Sequence, residues 1–522
     1  MRWHCVLLLL QLISAVQCYV YSSVRIPRTA RTRRSALDCK HEPADTVWKP
    51  SASADVATVG KPSASSDVVT VGKPSASSDV VVAILEPASA AAPTATAPAS
   101  GSAAASVADV QGRRGAARES LPLRLDGEWY DLHAWRAAHP GGTHWIDGFA
   151  HRDATDVFHA FHSADATAMT KRLPRLRMPP PSLPPPSDLT LSFRRLRDEL
   201  VREGWYERVW WREAANLTPV LALFAIGSHL ARPMPWLATV LLALGSTSAG
   251  WVAHDFVHGR GRFCATMRGF GALFNGHSAT WWSNKHNLHH ACTNQVGVDE
   301  DIMADPFFFL WAPDPARDSR WRRLQHVYAL PVYSVLFALW RLNSVRTVFT
   351  SRLVGEGAWL AVHYTWLLAC LPWQVALGHV FLAGLMTATI VTVSHQTEDL
   401  YHEQQHDWVR AQIGATRDAA TSNPFSEWLW GGMQYQLEHH LFPTMPRYRY
   451  AQLVPRVQQL CAEHQIEYRV DGEAAVVARN FGRLREVAEA PAQPDALATR
   501  TDTVWSRRQS AAWTASSLTV PA

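Results

Sequence analysis

Residues 357–393 run for 37 positions without an Asp, Glu, Lys or Arg. As one helix at about 1.5 Å per residue this run would be about 55 Å long, well beyond the ~30 Å hydrocarbon core of a bilayer. Pro372, in a Leu-Pro-Trp sequence, divides it into two spans joined by a tight turn. Two further uncharged runs, 214–231 and 235–253, are each near the roughly 20 residues that a membrane helix needs. The stretch 328–340 is apolar but short, and reads as an interfacial segment. Trp251, Trp281, Trp282, Trp340 and Trp373 border these runs, as aromatic belts do. The expectation is an all-α membrane domain over 190–485, with about four transmembrane helices in two hairpins.

Two hairpins return the chain to the side from which it entered. The second run ends at His254 and the fourth at His395, so both emerge at one face, together with the segment between them and the tail beyond. Three histidine clusters lie there. His254 and His258 are spaced i, i+4, and His286, His289 and His290 are spaced i, i+3, i+4, so each set shares one helical face. Gln436, His439 and His440 repeat the second spacing with Gln in first place. One histidine on an apolar face is usually structural, but seven in three clusters, with His395 as an eighth, indicate metal binding. Imidazole suits Fe, Zn, Cu and Ni alike, so the histidines by themselves do not name the metal.

Composition varies sharply along the chain. Residues 1–118 are poor in aromatics and rich in Ala, Ser, Pro and Val, which cannot bury a core. Within them, 1–37 reads as a targeting segment: a short apolar region at Val6–Ile13, a cleavage site before Tyr19, then an arginine-rich, acid-free stretch. Residues 38–118 read as a low-complexity linker with twelve-residue repeats starting at Lys49, Lys61 and Lys73. A proline-rich linker covers 177–189, and a polar tail covers 486–522. Seven scattered cysteines make no disulfide framework, and a net charge of +5 over 522 residues gives no basic patch for nucleic acid.

Between the linkers, residues 125–135 lead into His139-Pro140-Gly141-Gly142 and later into His162-Ser163. On these motifs the segment 119–176 resembles cytochrome b5, a small α+β haem domain. The resemblance implies bis-histidine ligation of haem b by His139 and His162, with His159 as a rival for the second place. Two axial imidazoles leave no open position for dioxygen, so such a module transfers single electrons.

The histidine boxes, with Trp281-Trp282 before the second and Leu441-Phe442-Pro443-Thr444-Met445-Pro446-Arg447 after the third, resemble membrane fatty-acid desaturases. The haem domain and Gln436 narrow this to the front-end type. The resemblance implies two non-haem iron ions, dioxygen as co-substrate and a fatty acyl lipid as substrate. It implies His254, His258, His286, His289, His290, His395, His439 and His440 as iron ligands, with Gln436 orienting a ligand rather than binding. The implied reaction inserts a cis double bond between an existing one and the carboxyl end. A sphingoid-base desaturase or a lipid hydroxylase is the alternative on the same scaffold. The implied electron donor is NADH-cytochrome b5 reductase, and the implied location the endoplasmic reticulum membrane, with a plastid membrane as the alternative that the N-terminus raises. Asp255 and Glu438, inside boxes, are expected to orient imidazoles. Asp299, Glu300 and Asp301 are expected on a solvated loop, and His229, His277, His363, His379, His402 and His406 are expected to be structural.

Overall fold

The computed structural model describes residues 120–176, 183–303 and 307–493. The targeting segment, the repeat linker, residues 177–182 of the proline-rich linker and most of the C-terminal tail lie outside the described residues. In the N-terminal part, strands β1 (Pro122–Leu125) and β2 (Glu128–Asp131) form an antiparallel pair turning at Asp126 and Gly127, both with positive φ. Helices α1 (Thr143–Gly148) and α2 (Thr155–Phe161) follow. Leu123, Leu125, Leu132, Ile146, Phe149 and Val157 make its core, which gives a small α+β unit.

Helix α3 (Asp188–Arg202) starts at Ser187, whose hydroxyl accepts from the Thr190 amide as an N-cap. Its apolar face buries Leu189, Phe193, Leu196 and Leu200. These residues join one continuous core with the N-terminal unit and with Trp408, Phe442 and Tyr450. Each such side chain contributes about 1.5–3 kcal/mol on full burial. Next to Phe193, Arg194 donates through Nε and Nη2 to both carboxylate oxygens of Asp156, each at 2.8 Å. The small unit is therefore seated on the larger one.

The larger part is helical. Helix α4 (Trp210–Leu230) and helix α5 (Pro235–His258) form the first hairpin. They approach closely at Gly227, where a Cβ would lie 2.7 Å from the Leu242 side chain. Helix α6 (Ala279–Ala291) carries the second histidine box, and α7 (Gln325–Thr350) follows. Helix α8 (Val354–Thr365) runs on through a π-helical turn at Trp366–Cys370, breaks at Leu371 and Pro372, and returns as α9 (Trp373–Thr392). Among the described residues, two helices are long and apolar enough to cross a membrane, Pro235–His258 and Trp373–Thr392.

One expectation needs correction. Residues 328–340 are not a short interfacial segment but the middle of α7, a 26-residue helix packed along α9. Buried Gln325, Arg341 and Ser344 interrupt its apolar pattern. The charge of Arg341 ends the uncharged run at Trp340, well short of the helix end at Thr350.

Past α9 the chain forms a cap from α10 (Trp408–Gly414), α11 (Gln436–Leu441), α12 (Tyr450–Glu463) and α13 (Glu473–Glu489). Strands β3 (Asp418–Ala420) and β4 (Val470–Gly472) pair in parallel within it. The last helix runs to Glu489, so its final turn extends beyond the boundary expected at 485.

Candidate metal centre

His254 and His258 occupy the last turn of α5, His286 and His290 lie on α6, and His439 lies on α11. One ring nitrogen from each of these five comes within 4.8 Å of all the others. His289, His395 and His440 form a second group by the same measure. All eight expected histidines thus meet in two adjoining groups, and His289 stands beside His290 on the shared helix.

The second group is held in a defined tautomer. The His289 Nδ1 hydrogen goes to the Asp299 carboxylate at 2.7 Å, and the His395 Nδ1 hydrogen to the Ala415 carbonyl at 2.9 Å. The His440 Nδ1 hydrogen goes to the Gln412 amide oxygen, also at 2.9 Å, while the Gln412 amide nitrogen donates to the His290 carbonyl. None of the three acceptor oxygens can donate, so each ring keeps its proton on Nδ1 and leaves Nε2 as a free lone pair. Burial holds the His290, His439 and His440 rings well below the usual imidazole range, and pushes His395 down to about 3. The rings are neutral, the form in which imidazole binds a metal.

In the first group, ring nitrogens face one another or have no hydrogen-bond partner. The Nε2 atoms of His254 and His286 face each other at 2.7 Å, and that of His290 lies 3.2 Å from the same His286 atom. Both ring nitrogens of His258, Nδ1 of His290 and Nε2 of His439 are buried without a hydrogen-bond partner, as is Nε2 of His440 in the second group. Such atoms are costly unless a cation takes the lone pairs, so the residues present fit metal ions.

In the small unit the His139 and His162 rings face each other with centroids 6.1 Å apart, planes inclined by 44°. His139 donates from Nδ1 to the Gly142 carbonyl at 3.0 Å and His162 to the Phe158 carbonyl at 2.9 Å, so here too Nε2 is left free on both rings. Gly142 has φ +101°, and a Cβ on Gly141 would lie 3.0 Å from both the His139 ring and Trp145. These are the two places where the motif needs glycine. Burial lowers His162 to about 4, and Phe158 stacks on its ring at 4.2 Å. His159 instead binds Asp126 at 2.8 Å, away from the pair.

Most of the chain is similar to known proteins. Residues 230–472 match the family described as fatty acid desaturase, and residues 114–178 match the cytochrome b5-like heme/steroid binding domain. The acyl-lipid (9-3)-desaturase of Physcomitrium patens is 30% identical over 412 residues, 70% of this chain and 75% of that protein. The chain belongs to the fatty acid desaturase family. The Delta(6)-fatty-acid desaturase fat-3 of Caenorhabditis elegans is 29% identical over 430 residues, 71% of this chain and 96% of its own length. The Delta(8)-fatty-acid desaturase of Euglena gracilis is 29% identical over 396 residues, 67% and 92% of the two chains. With its cytochrome b5-like domain ahead of the histidine boxes, this is a front-end desaturase and an oxidoreductase.

The carboxylates of the desaturase differ from expectation. Asp255 does not orient an imidazole: Arg208 takes both its oxygens at 3.0 Å and also pairs with Glu213. Glu438 is buried beside Asp418, and the Tyr468 hydroxyl lies 2.5 Å from Asp418 and 3.0 Å from Glu438. Burial raises both acids, which share the site by keeping a proton between them. Asp299 is fully buried rather than solvated, and Asp301 lies 3.4 Å from His286, while Glu300 is exposed. The sequence did carry a signal for them, since no acid occurs from 256 to 298 and three then follow. Gln412 and Tyr450, which hydrogen-bond His440 and His439, come from the cap and had no such signal. Gln436 is buried with its side chain at His395, in the second group. His277, His363 and His379 stand outside both groups, the latter two bonded to the Leu273 and Val375 carbonyls.

Proposed function

We propose that this enzyme is a dioxygen-dependent front-end desaturase that introduces a cis double bond into an unsaturated fatty acyl chain, on the carboxyl side of an existing one. One observation carries the reading: eight imidazoles converge in two adjoining groups, and His258, His290, His439 and His440 each have a buried ring nitrogen without a hydrogen-bond partner. His254, His258, His286, His290 and His439 hold one iron, and His289, His395 and His440 hold the other, with Gln436 beside His395. His139 and His162 hold haem b. Once bound, the irons supply the oxidising power that an unactivated C–H bond requires, and the haem supplies electrons singly.

The chain's own residues do the rest. Asp299, Ala415 and Gln412 fix which nitrogen of each ring is available. The overall reaction removes two hydrogens from adjacent methylenes and, with one dioxygen, two electrons and two protons, yields the alkene and two waters. Trp282 stacks on His286 at 5.0 Å, and Trp340, Phe337, Ala243 and Val380 continue that apolar surface into the helices. This packing shields that side of the five-histidine group from water. NADH-cytochrome b5 reductase in the endoplasmic reticulum membrane is the electron donor in this reading.

The test is expression in a yeast lacking polyunsaturated fatty acids, fed a panel of C18 to C22 substrates. Fatty-acid methyl esters are profiled against a His289→Ala control. A new His289-dependent double bond on the carboxyl side of an existing one is expected. An inserted hydroxyl, or a new double bond only in sphingoid bases, overturns the reading.

A further inference from the structure

The seated position of the small unit brings two metal-binding neighbourhoods together at one residue. Phe161, the last residue of α2, directly precedes His162 in the chain. Its ring meets the ring of His290 edge-on, at 6.3 Å between centroids and 89° between planes. Its carbonyl accepts a hydrogen bond from Arg260 Nε, and Arg260 Nη1 donates to the carbonyl of His258. One guanidinium therefore ties the residue before a haem-facing histidine to a histidine of the five-membered group. The bidentate Arg194–Asp156 pair and the common core hold the same arrangement from the far side of α2.

We propose that Phe161, clamped by Arg260, is the contact through which electrons pass from the haem domain to the five-histidine group. This rests on the function proposed above. Each crossing oxidises the haem by one electron and reduces the iron site by one, and two crossings with two protons complete the reduction of dioxygen for each double bond. The covalent link from His162 and the ring contact to His290 leave one non-bonded step between the two centres. The path runs inside a single chain, so the haem domain needs no undocking to deliver an electron.

The experiment uses the full-length protein in lipid nanodiscs, with haem and iron loaded. The haem is reduced beforehand and mixed rapidly with dioxygen and acyl substrate, and its reoxidation is followed by absorbance. A His289→Ala protein gives the background of direct autoxidation. Phe161→Ala is expected to slow haem reoxidation by about tenfold, equivalent to about 1.4 kcal/mol on the barrier. Its haem spectrum, midpoint potential and rate of reduction by the reductase should stay at wild-type values, and Phe161→Tyr, which keeps the ring, should restore reoxidation. A wild-type rate in Phe161→Ala, while the wild-type enzyme forms unsaturated product, overturns the relay and leaves the desaturase reading standing. A wild-type haem that reoxidises no faster than the His289→Ala background, with no unsaturated product, overturns both.

Discussion

Asp299→Asn tests whether the acidic loop after the second box is part of the metal centre. Asp299 is completely buried. One carboxylate oxygen accepts from His289 Nδ1 at 2.7 Å and from the Asn294 amide at 2.8 Å, and the other accepts from the Asp301 amide at 2.8 Å. Asparagine has the same shape but only one acceptor oxygen. Whichever way the amide turns, its NH2 group faces an N–H donor, and at least one buried bond is lost. Hydrogen bonds to a charged group are worth about 1.5–3 kcal/mol each, so folding stability should fall by about that much. The larger effect falls on the metal: losing the partner that fixes a ligating imidazole typically costs about 10–100-fold in affinity or activity. The assay is iron retained per haem in purified protein under a graded chelator. Haem serves as the internal count of folded chains because its two histidines lie in the other unit. Glu300→Gln, on the exposed neighbour, is the control and should retain iron at wild-type levels. Iron retention in Asp299→Asn within twofold of wild type refutes the argument that this carboxylate sets the His289 tautomer.

His162→Ala should abolish haem binding while His159→Ala retains it, read from the haem absorbance per chain, because only His162 faces His139. Gly141→Ala should lower haem occupancy or domain stability. Its Cβ would press on His139 and Trp145 at 3.0 Å, and overpacking of this kind costs about 1–3 kcal/mol. A thermal melt followed at the haem band measures it, and an unchanged melt would show that the loop gives way freely. Removing iron should loosen the end of α5 more than the loop around Ala415, because His258 has no partner for either ring nitrogen while His395 keeps its carbonyl anchor. Hydrogen exchange of peptides covering 254–258 and 395–415, with and without iron, gives the comparison.

The sequence revealed what repeats at helical spacing and little of what tertiary closure brings together. His254 and His258, or His286, His289 and His290, had to share a face once each segment was helical. All of them reach the centre together with His395, His439 and His440. Pro372 marked the break before α9 because a proline there cannot continue the preceding helix. The length of helix α7 is not legible in the sequence because Arg341, buried beside Phe337, reads as a surface charge in any linear pattern. Asp299 reads as solvent-exposed in a linear pattern for the same reason. An acid is assigned to the surface until a partner is visible, and its partner lies ten residues away on a helix, across a turn. Gln412 and Tyr450 were illegible because they come from the cap, more than a hundred residues beyond the second box, and their role follows only from how the cap folds over it.

The supporting contacts also explain why a helical scaffold suits this chemistry. Seven of the ten proposed metal-binding histidines have Nδ1 hydrogen-bonded to an oxygen, of Gly142, Phe158, Ala415, Asp299, Gln412, Asp301 and Tyr450. In His162 that oxygen is the carbonyl four residues earlier, in the last turn of α2, which also accepts the His162 backbone N–H. The helix terminus that exposes the ligand thus also supplies the acceptor that sets its tautomer. His395 follows the same logic one step removed, since α9 ends at Thr392 and the Ala415 carbonyl follows the end of α10. Helix ends leave unsatisfied carbonyls wherever they occur. Gathering helix ends at one face supplies neutral imidazoles and the oxygens that orient them together, with few buried carboxylates beside the metal. The side chains of Asp299, Asp301 and Gln412, which serve His289, His286 and His440, supply oxygens that are not helix-end carbonyls.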